Sequence, residues 1–278
     1  ESGATWGVAY EKNSDSIFFS SLTKRHTDYG PLGEGGIYRV TNFSTSPTVT
    51  NFIDLATIGI PQTVVPRSLS VDKTASSYDA DAFDAVGKSS IGGLDLNEDG
   101  SELWLMNLTD RTLYEIDLGS PITTPTSGDV TSHDFLTFLS SNDPGSCSYT
   151  DSNNNDFRPW AVKIIDGRVY VGVTCSGEST GLQTDLHAYL ISMPADGGSW
   201  QIDFDFSLDY GNSRGEVFNG TAGDWQTWTS TYQSLRGDSR FIYPQALLSD
   251  IEIDPYTGDI TIALMDRASH QGGDSQYL

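Results

Sequence analysis

Apolar and polar positions alternate over short runs along this chain, and helical spacing is almost absent. Gly, Asp and Asn turn signals bound the runs, which predicts short β-strands joined by hairpins. The pattern places strands at Thr5–Tyr10, Ser16–Leu22, Gly36–Thr41 and Val49–Leu55. A second group is expected at Ile91–Leu96, Glu102–Leu108, Thr112–Leu118 and Ser132–Phe138. A third covers Trp160–Ile165, Arg168–Cys175, Leu186–Met193 and Trp200–Leu208; a fourth starts with Leu248–Asp254 and Asp259–Met265.

The four groups open alike. Gly7-Val8-Ala9-Tyr10-Glu11 passes through Lys12–Asp15 into Ser16-Ile17-Phe18-Phe19, and Gly93-Leu94-Asp95-Leu96-Asn97 passes through a turn into Glu102-Leu103-Trp104-Leu105. Ala161-Val162-Lys163-Ile164-Ile165 turns at Asp166-Gly167 into Arg168-Val169-Tyr170-Val171. Asp250-Ile251-Glu252-Ile253-Asp254 turns at Tyr256-Thr257-Gly258 into Asp259-Ile260-Thr261-Ile262. Each unit is an apolar strand, a hairpin and a second alternating strand. Return of the same unit at this scale is the signature of propeller blades, whose radial stacking buries both faces of each sheet. A large sandwich or a β-helix also contains hairpins, but the regular return favours blades. The expected fold is all-β, a β-propeller of four-stranded antiparallel blades forming one domain over residues 1–278. Its repeats span approximately 4–55, 88–138, 157–208 and 246–278, the last incomplete at the C-terminus, with the hairpins that begin at Gly7, Gly93, Ala161 and Asp250 in equivalent inner positions.

Composition narrows the function classes. A chain of 278 residues buries a core without needing a metal or a disulfide merely to fold. Against 15 Lys and Arg stand 38 Asp and Glu, a formal charge of −23. Such a polyanion repels phosphate backbones, so nucleic acid is not an expected partner. An acidic surface that keeps the protein soluble accounts for most of the charge, and some carboxylates would suit Ca²⁺, which takes oxygen ligands. No apolar run reaches the roughly 18 residues that spanning a bilayer requires, so membrane insertion is not expected. The two cysteines, Cys147 and Cys175, lack a metal-binding spacing. They read as two separate buried thiols or, in an oxidising compartment, as one disulfide, which is the expectation for a secreted protein.

Several blocks carry a resemblance. Ser20–His26 with Gly30-Pro31-Leu32-Gly33 and Gly35-Gly36-Ile37-Tyr38 forms the first. Val86-Gly87-Lys88, Ile91–Leu96, Glu102–Leu105 and Asp110–Tyr114 form the second. Arg158-Pro159-Trp160-Ala161 with Tyr170–Glu178 is the third, and Tyr243-Pro244-Gln245, Leu248–Asp254 and Met265-Asp266-Arg267 make the fourth. Together they resemble the N-terminal propeller-like region of large secreted bacterial surface proteins, which often carry SdrD-B/Cna-B-type immunoglobulin-like repeats downstream. The resemblance implies a secreted or cell-surface location and chain beyond Arg267 that completes the fourth repeat. It brings no catalytic signature.

Candidate site residues follow from local chemistry. Lys24, Arg25 and His26 are the one dense basic cluster, either a ligand-contacting corner or an internal ion-pair set that anchors a long loop. The run Asp151, Ser152, Asn153, Asn154, Asn155, Asp156 offers oxygens to Ca²⁺, as do Asp79, Asp81 and Asp84; polar loops are the alternative for both. Trp225 and Trp228 would stack on sugar rings if exposed and cap the core if packed. The four histidines, His26, His133, His187 and His270, have no HExxH spacing, and no GxSxG, P-loop or GxGxxG is present. The expectation is a non-catalytic binding or adhesion module, with a glycan or a surface protein as ligand and with downstream domains or neighbouring subunits as further partners. A polysaccharide lyase or hydrolase, or a structural subunit of an extracellular assembly, are the alternatives, since propellers host all three roles.

Overall fold

The computed structural model describes residues 2–72, 77–211, 216–218, 221–233, 235 and 242–272. Three four-stranded antiparallel meanders dominate it. Sheet 1 is β1 (Thr5–Glu11), β2 (Ser16–Ser21), β3 (Gly36–Thr41) and β4 (Thr48–Asp54). A short helix α1 (Asp81–Ala85) precedes sheet 2, made of β5 (Ile91–Leu96), β6 (Glu102–Asn107), β7 (Thr112–Asp117) and β8 (Val130–His133). After helix α2 (Leu136–Asn142) comes sheet 3, with β9 (Phe157–Ile165), β10 (Arg168–Cys175), β11 (His187–Pro194) and β12 (Gln201–Ser207). Two short strands, β13 (Glu216–Phe218) and β14 (Thr221–Ala222), pair with each other. Sheet 4 is the pair β15 (Ala246–Ile253) and β16 (Ile260–Asp266), followed by helix α3 (Ala268–Gln271).

The first strands carry the stacking. β1 packs on β5, β5 on β9 and β9 on β15, so the four matched hairpins lie side by side in successive sheets. Alternation sets which side chains meet. Ala9, Phe18, Ile37 and Ile53 of sheet 1 close on Leu94, Leu96, Leu103 and Leu105 of sheet 2. Trp104, Met106 and Leu113 on the other face of sheet 2 close on Val162, Ile164, Val169 and Val171 of sheet 3. Ala161, Ala188 and Leu190 then meet Leu248 and Ile251 of sheet 4. Each fully buried Leu, Ile or Val contributes about 1.5–3 kcal/mol relative to exposure, so these layers dominate the stability. Glycine allows the close approach at the first strands. A Cβ on Gly7 would lie 2.8 Å from the Leu94 side chain, and one on Gly93 would lie 2.6 Å from the Val162 nitrogen. Each first strand also breaks register with its neighbour at that level: between Thr5 and Val8, between Ile91 and Leu94, opposite Val171–Val173, and between Leu248 and Asp250.

The structure corrects one expected element. Ser132–Phe138 is not a strand; β8 ends at His133 and α2 begins at Leu136. Asp134 accepts hydrogen bonds from the Leu136 nitrogen at 2.9 Å and the Thr137 hydroxyl at 2.7 Å, which starts a helical turn. Phe135, Leu136 and Leu139 then bury together, so a helical spacing had passed for alternation. In the fourth group, α3 occupies Ala268–Gln271, and residues 273–278 of the expected polar tail lie outside the described residues. Among the described residues no strand pairs with the outer edge of β16. No helix among them is long and apolar enough to cross a membrane.

Candidate functional site

At the level where the first strands begin, scarce cations fasten the long loops. Arg25, 2 % exposed, donates to the carbonyls of Tyr78, Asp79 and Gln271. Asp79, fully buried, pairs with Arg67 and also accepts from the backbone nitrogens of His26 at 2.9 Å and Ser68 at 3.2 Å. Glu178 bridges Lys88 at 2.6 Å and Arg158 at 2.9 Å. Burial works to raise its carboxyl, but those two cations outweigh it and hold the group at about 2. Arg267 is fully buried and donates to the carbonyls of Val86, Asp84 and Thr229 and to Gln245 Oε1, with its guanidinium 4.4 Å over the Trp228 ring. Burial lowers Arg267 to about 10 and His270 to about 4, with Lys24 adding to the second. Sequence reasoning singled out none of Arg67, Arg158, Glu178 or Arg267 as a site residue. For the three arginines the available signal was rarity, since basic residues beside apolar blocks are few in a chain this acidic.

This belt absorbs most of the residues proposed as ligand contacts. Arg25 is an internal anchor, and His26, at a positive φ of 65°, joins Ser77 through its ring and Asp79 through its backbone. Lys24 is half-buried, and its carbonyl accepts from Arg67. Trp225 and Trp228 are 5 % and 2 % exposed, so packing within the core overrides sugar stacking for both indoles. The two oxygen-rich runs are satisfied from within the protein. Asp151 accepts from the backbone nitrogens of Asn153 and Asn154 and from the Asn154 amide. Asn155 turns its amide to the carbonyls of Asp151 and Ser152, exposed Asn153 contributes its backbone, and Asp156 accepts from Ser179. Asp84 pairs with Lys88, and Asp81 is exposed at the start of α1. Among the described residues no three His, Cys, Asp or Glu side chains converge on a possible metal position.

Cys147 and Cys175 are joined in a disulfide whose Cα atoms are 5.6 Å apart. It ties the loop after α2 to the end of β10. Asp143 holds the same loop, accepting from the nitrogens of Gly145 and Cys147 and from the Tyr189 hydroxyl at 2.6 Å. From the other side Arg111 donates to the carbonyls of Ser152, Asn153 and Asn155.

The loop so fixed is one wall of a groove of about 650 Å³. Tyr149, Thr150, Asp151, Ser152 and Asn153 face Asp110, Thr112, Tyr114 and Ser132 of sheet 2, with Asp134, Leu136 and Thr137 at the start of α2. Hydroxyls, amides and carboxylates line it, and no Lys, Arg or His does. Its carboxylates are already engaged. Burial raises Asp110, which accepts from the Tyr114 hydroxyl at 2.7 Å, Asn107 at 2.9 Å and the Thr112 nitrogen. Hydrogen bonds from Asn154 and Asn153 keep Asp151 below the usual carboxylate range. A smaller opening of about 290 Å³ lies among the first strands, lined by Trp6, Gly7, Val8, Gly93, Leu94 and Val162 with Asp250 and Glu252. Nearby, Lys163 on β9 reaches Asp95 on β5 at 3.6 Å and Glu252 on β15 at 3.3 Å, which links three sheets.

Fold and groove define an all-β protein of stacked antiparallel sheets with a polar, acidic recess at its flank. Protein-family models give no match to the chain. Its sequence is similar to three colossins of Dictyostelium discoideum. Colossin-D is 24% identical over 282 residues, covering 99% of this chain and 25% of that protein. Colossin-C is 26% identical over 277 residues, 96% of this chain and 24% of that one; Colossin-A is 23% identical over 286 residues, 98% and 2%. The chain therefore spans about a quarter or less of the curated relatives it matches. A solved nidogen/laminin complex aligns with 97% of this chain and 62% of its own at 8% identity and a TM-score of 0.42.

Proposed function

We propose that the four sheets are blades of a β-propeller around the opening between β1, β5, β9 and β15, and that the protein is a non-catalytic adhesive module acting outside the cell. The groove between sheet 2 and the loop after α2 carries this reading. Its volume of about 650 Å³ lies within the usual range for a recognition site. The carboxylates that line it also cap turns and hairpins, so the lining offers a fixed hydrogen-bonding surface. The disulfide that fixes one wall belongs to an oxidising compartment. The partner that fits is a surface protein presenting a short segment rich in Lys or Arg, because the lining has no cation and the chain carries −23. Calcium is no part of this proposal, since Asp79, Asp84, Asp151 and Asp156 already accept from donors of the protein.

The test is a binding screen of the full-length protein against surface-protein peptides and glycans. Thr137 and Asn153 are exposed on opposite walls, so Thr137→Arg and Asn153→Arg each offset one of the groove's three carboxylates without touching the core. Binding of basic peptides that weakens with salt and falls about tenfold or more in these variants supports the reading. Binding indifferent to both variants removes the groove from the proposal. Binding confined to glycans replaces the partner class, and turnover of a polysaccharide restores the enzymatic alternative.

A further inference from the structure

The contacts between sheets obey one rule that sheet 1 breaks. In the matched hairpins, Val8 and Tyr10 correspond to Leu94 and Leu96 in sheet 2, to Val162 and Ile164 in sheet 3, and to Ile251 and Ile253 in sheet 4. Leu94, Leu96, Val162, Ile164 and Ile251 are 4%, 7%, 6%, 5% and 0% exposed, each beneath the preceding sheet, and Ile253 packs on the same core as Ile251. On the second strand, Leu103, Leu105, Val169 and Val171 are all fully buried the same way. Val8 and Tyr10 are instead 60% and 51% exposed. Register puts them on one face with their neighbours: Val8 opposes Phe19, Tyr10 opposes Ile17, Ile17 opposes Val40, and Val40 opposes Val49. Val49 is itself 61% exposed. Sheet 1 thus presents a four-stranded apolar face of the kind that sheets 2 to 4 bury.

We infer that this face is covered by a further antiparallel sheet of the same polypeptide, outside these 278 residues, packed as each sheet here packs on its successor. The inference rests on the blade reading of the sheets and not on what the groove binds. The established interface recurs three times with the same side presented, and the sheet 1 face continues it. A second copy of this chain is a poor occupant. The corresponding face of sheet 4 presents Asp250, Glu252, Thr261 and Ala263, which would set carboxylates against valine and phenylalanine, and each copy carries −23. The relatives also have room for further sheets, since Colossin-D and Colossin-C extend to about four times the matched stretch.

Single thiols test this, because the two native cysteines are joined. Val8→Cys is placed both in the 278-residue chain and in the full native polypeptide, and alkylation at position 8 is followed by peptide mapping. Position 8 is expected to react freely in the shorter chain and about tenfold or more slowly in the full polypeptide, where reaction waits on local opening. Equal rates in both overturn the inference. So does a native polypeptide no longer than 278 residues, or protection that appears in the shorter chain as its concentration rises, which assigns the face to a second copy. Leu94→Cys is the control at the equivalent buried position. Fast labelling there breaks the stacking of the sheets, and with it the blade reading, rather than the choice of occupant.

Discussion

Removing the Cys147–Cys175 bond tests the construction of the groove. Cys147→Ser is the suitable change, because Cys147 is half-buried and tolerates a hydroxyl while Cys175, fully buried in the core, keeps its own sulfur. The two residues are 28 apart in sequence. Loop closure over that length removes about 12 cal/mol/K from the unfolded chain, which is about 3.6 kcal/mol at 25 °C. For a domain of this size, roughly 2–4 °C follow each kcal/mol, so the melting temperature should fall by roughly 7–14 °C. The native fold should persist, because Asp143 and Arg111 hold the loop independently. Urea titration of oxidised wild type, reduced wild type and the variant provides the measurement, with the last two expected to coincide. The dependence on urea should also steepen on losing the bond, since the unfolded chain expands. A loss below about 1 kcal/mol would refute the reasoning, showing that the native state relaxes or that the unfolded loop stays closed without the link.

Acid should act in two stages. Neutral His270 is favoured by burial, so its contribution is complete above the ordinary value of 6.5 and is lost as pH falls from there to about 4. Glu178 is held as a carboxylate, so its contribution is complete above 4.5 and is lost as pH falls toward about 2. Each limb carries on the order of 3 kcal/mol; His270→Leu should flatten the upper and Glu178→Gln the lower, and a melting temperature unchanged from pH 7 to 4 would contradict this. Arg267→Met strands four acceptors, two of them in fully buried hydrogen bonds, and should cost about 3–5 kcal/mol by urea unfolding, with Arg267→Lys no rescue because an ammonium cannot span them. A loss under about 1 kcal/mol would mean the acceptors find water. Millimolar Ca²⁺ and chelator should leave the melting temperature within about 2 °C, because Asp79 and Asp151 already have their donors; a rise of several degrees would show a loop reorganising around the ion.

What could be read from residues alone was what depends on near neighbours in the chain. The matched hairpins announce their strand pairs because alternation and Asp/Gly turns are local, and β1, β5, β9 and β15 do lie side by side. Apolar density misleads where two periods overlap, as at Phe135–Leu139, where one Asp134 cap decides for helix. Chemistry that depends on distant partners stayed hidden. Asp79 looks like a cation ligand until Arg67, twelve residues earlier, folds onto it. Arg25 looks like a surface base until the carbonyl of Gln271, 246 residues away, reaches it. The groove escaped notice for the same reason: Asp151 and Asn153 were visible as a polar run, but Tyr114 and Thr137 opposite them come from sheet 2 and helix α2. The run is significant as a wall, fixed by the disulfide and by Arg111.

The bond between Arg25 and Gln271 has a consequence for how the molecule comes apart. A file of sheets, each gripping only those beside it, loses its outermost members first, and its cohesion grows by one contact layer per added member. In such an arrangement sheets 1 and 4 would each fray alone. Here the Arg25 side chain holds the Gln271 carbonyl and its backbone nitrogen holds that of His270, so the loop after β2 is clasped to the turn after β16. Along one rim the two ends of the file are therefore linked. Opening at either end must first break a buried guanidinium contact, which couples the two ends into one cooperative event. Native-state hydrogen exchange would see β1 and β16 released together in wild type and separately once Arg25 is replaced by Met.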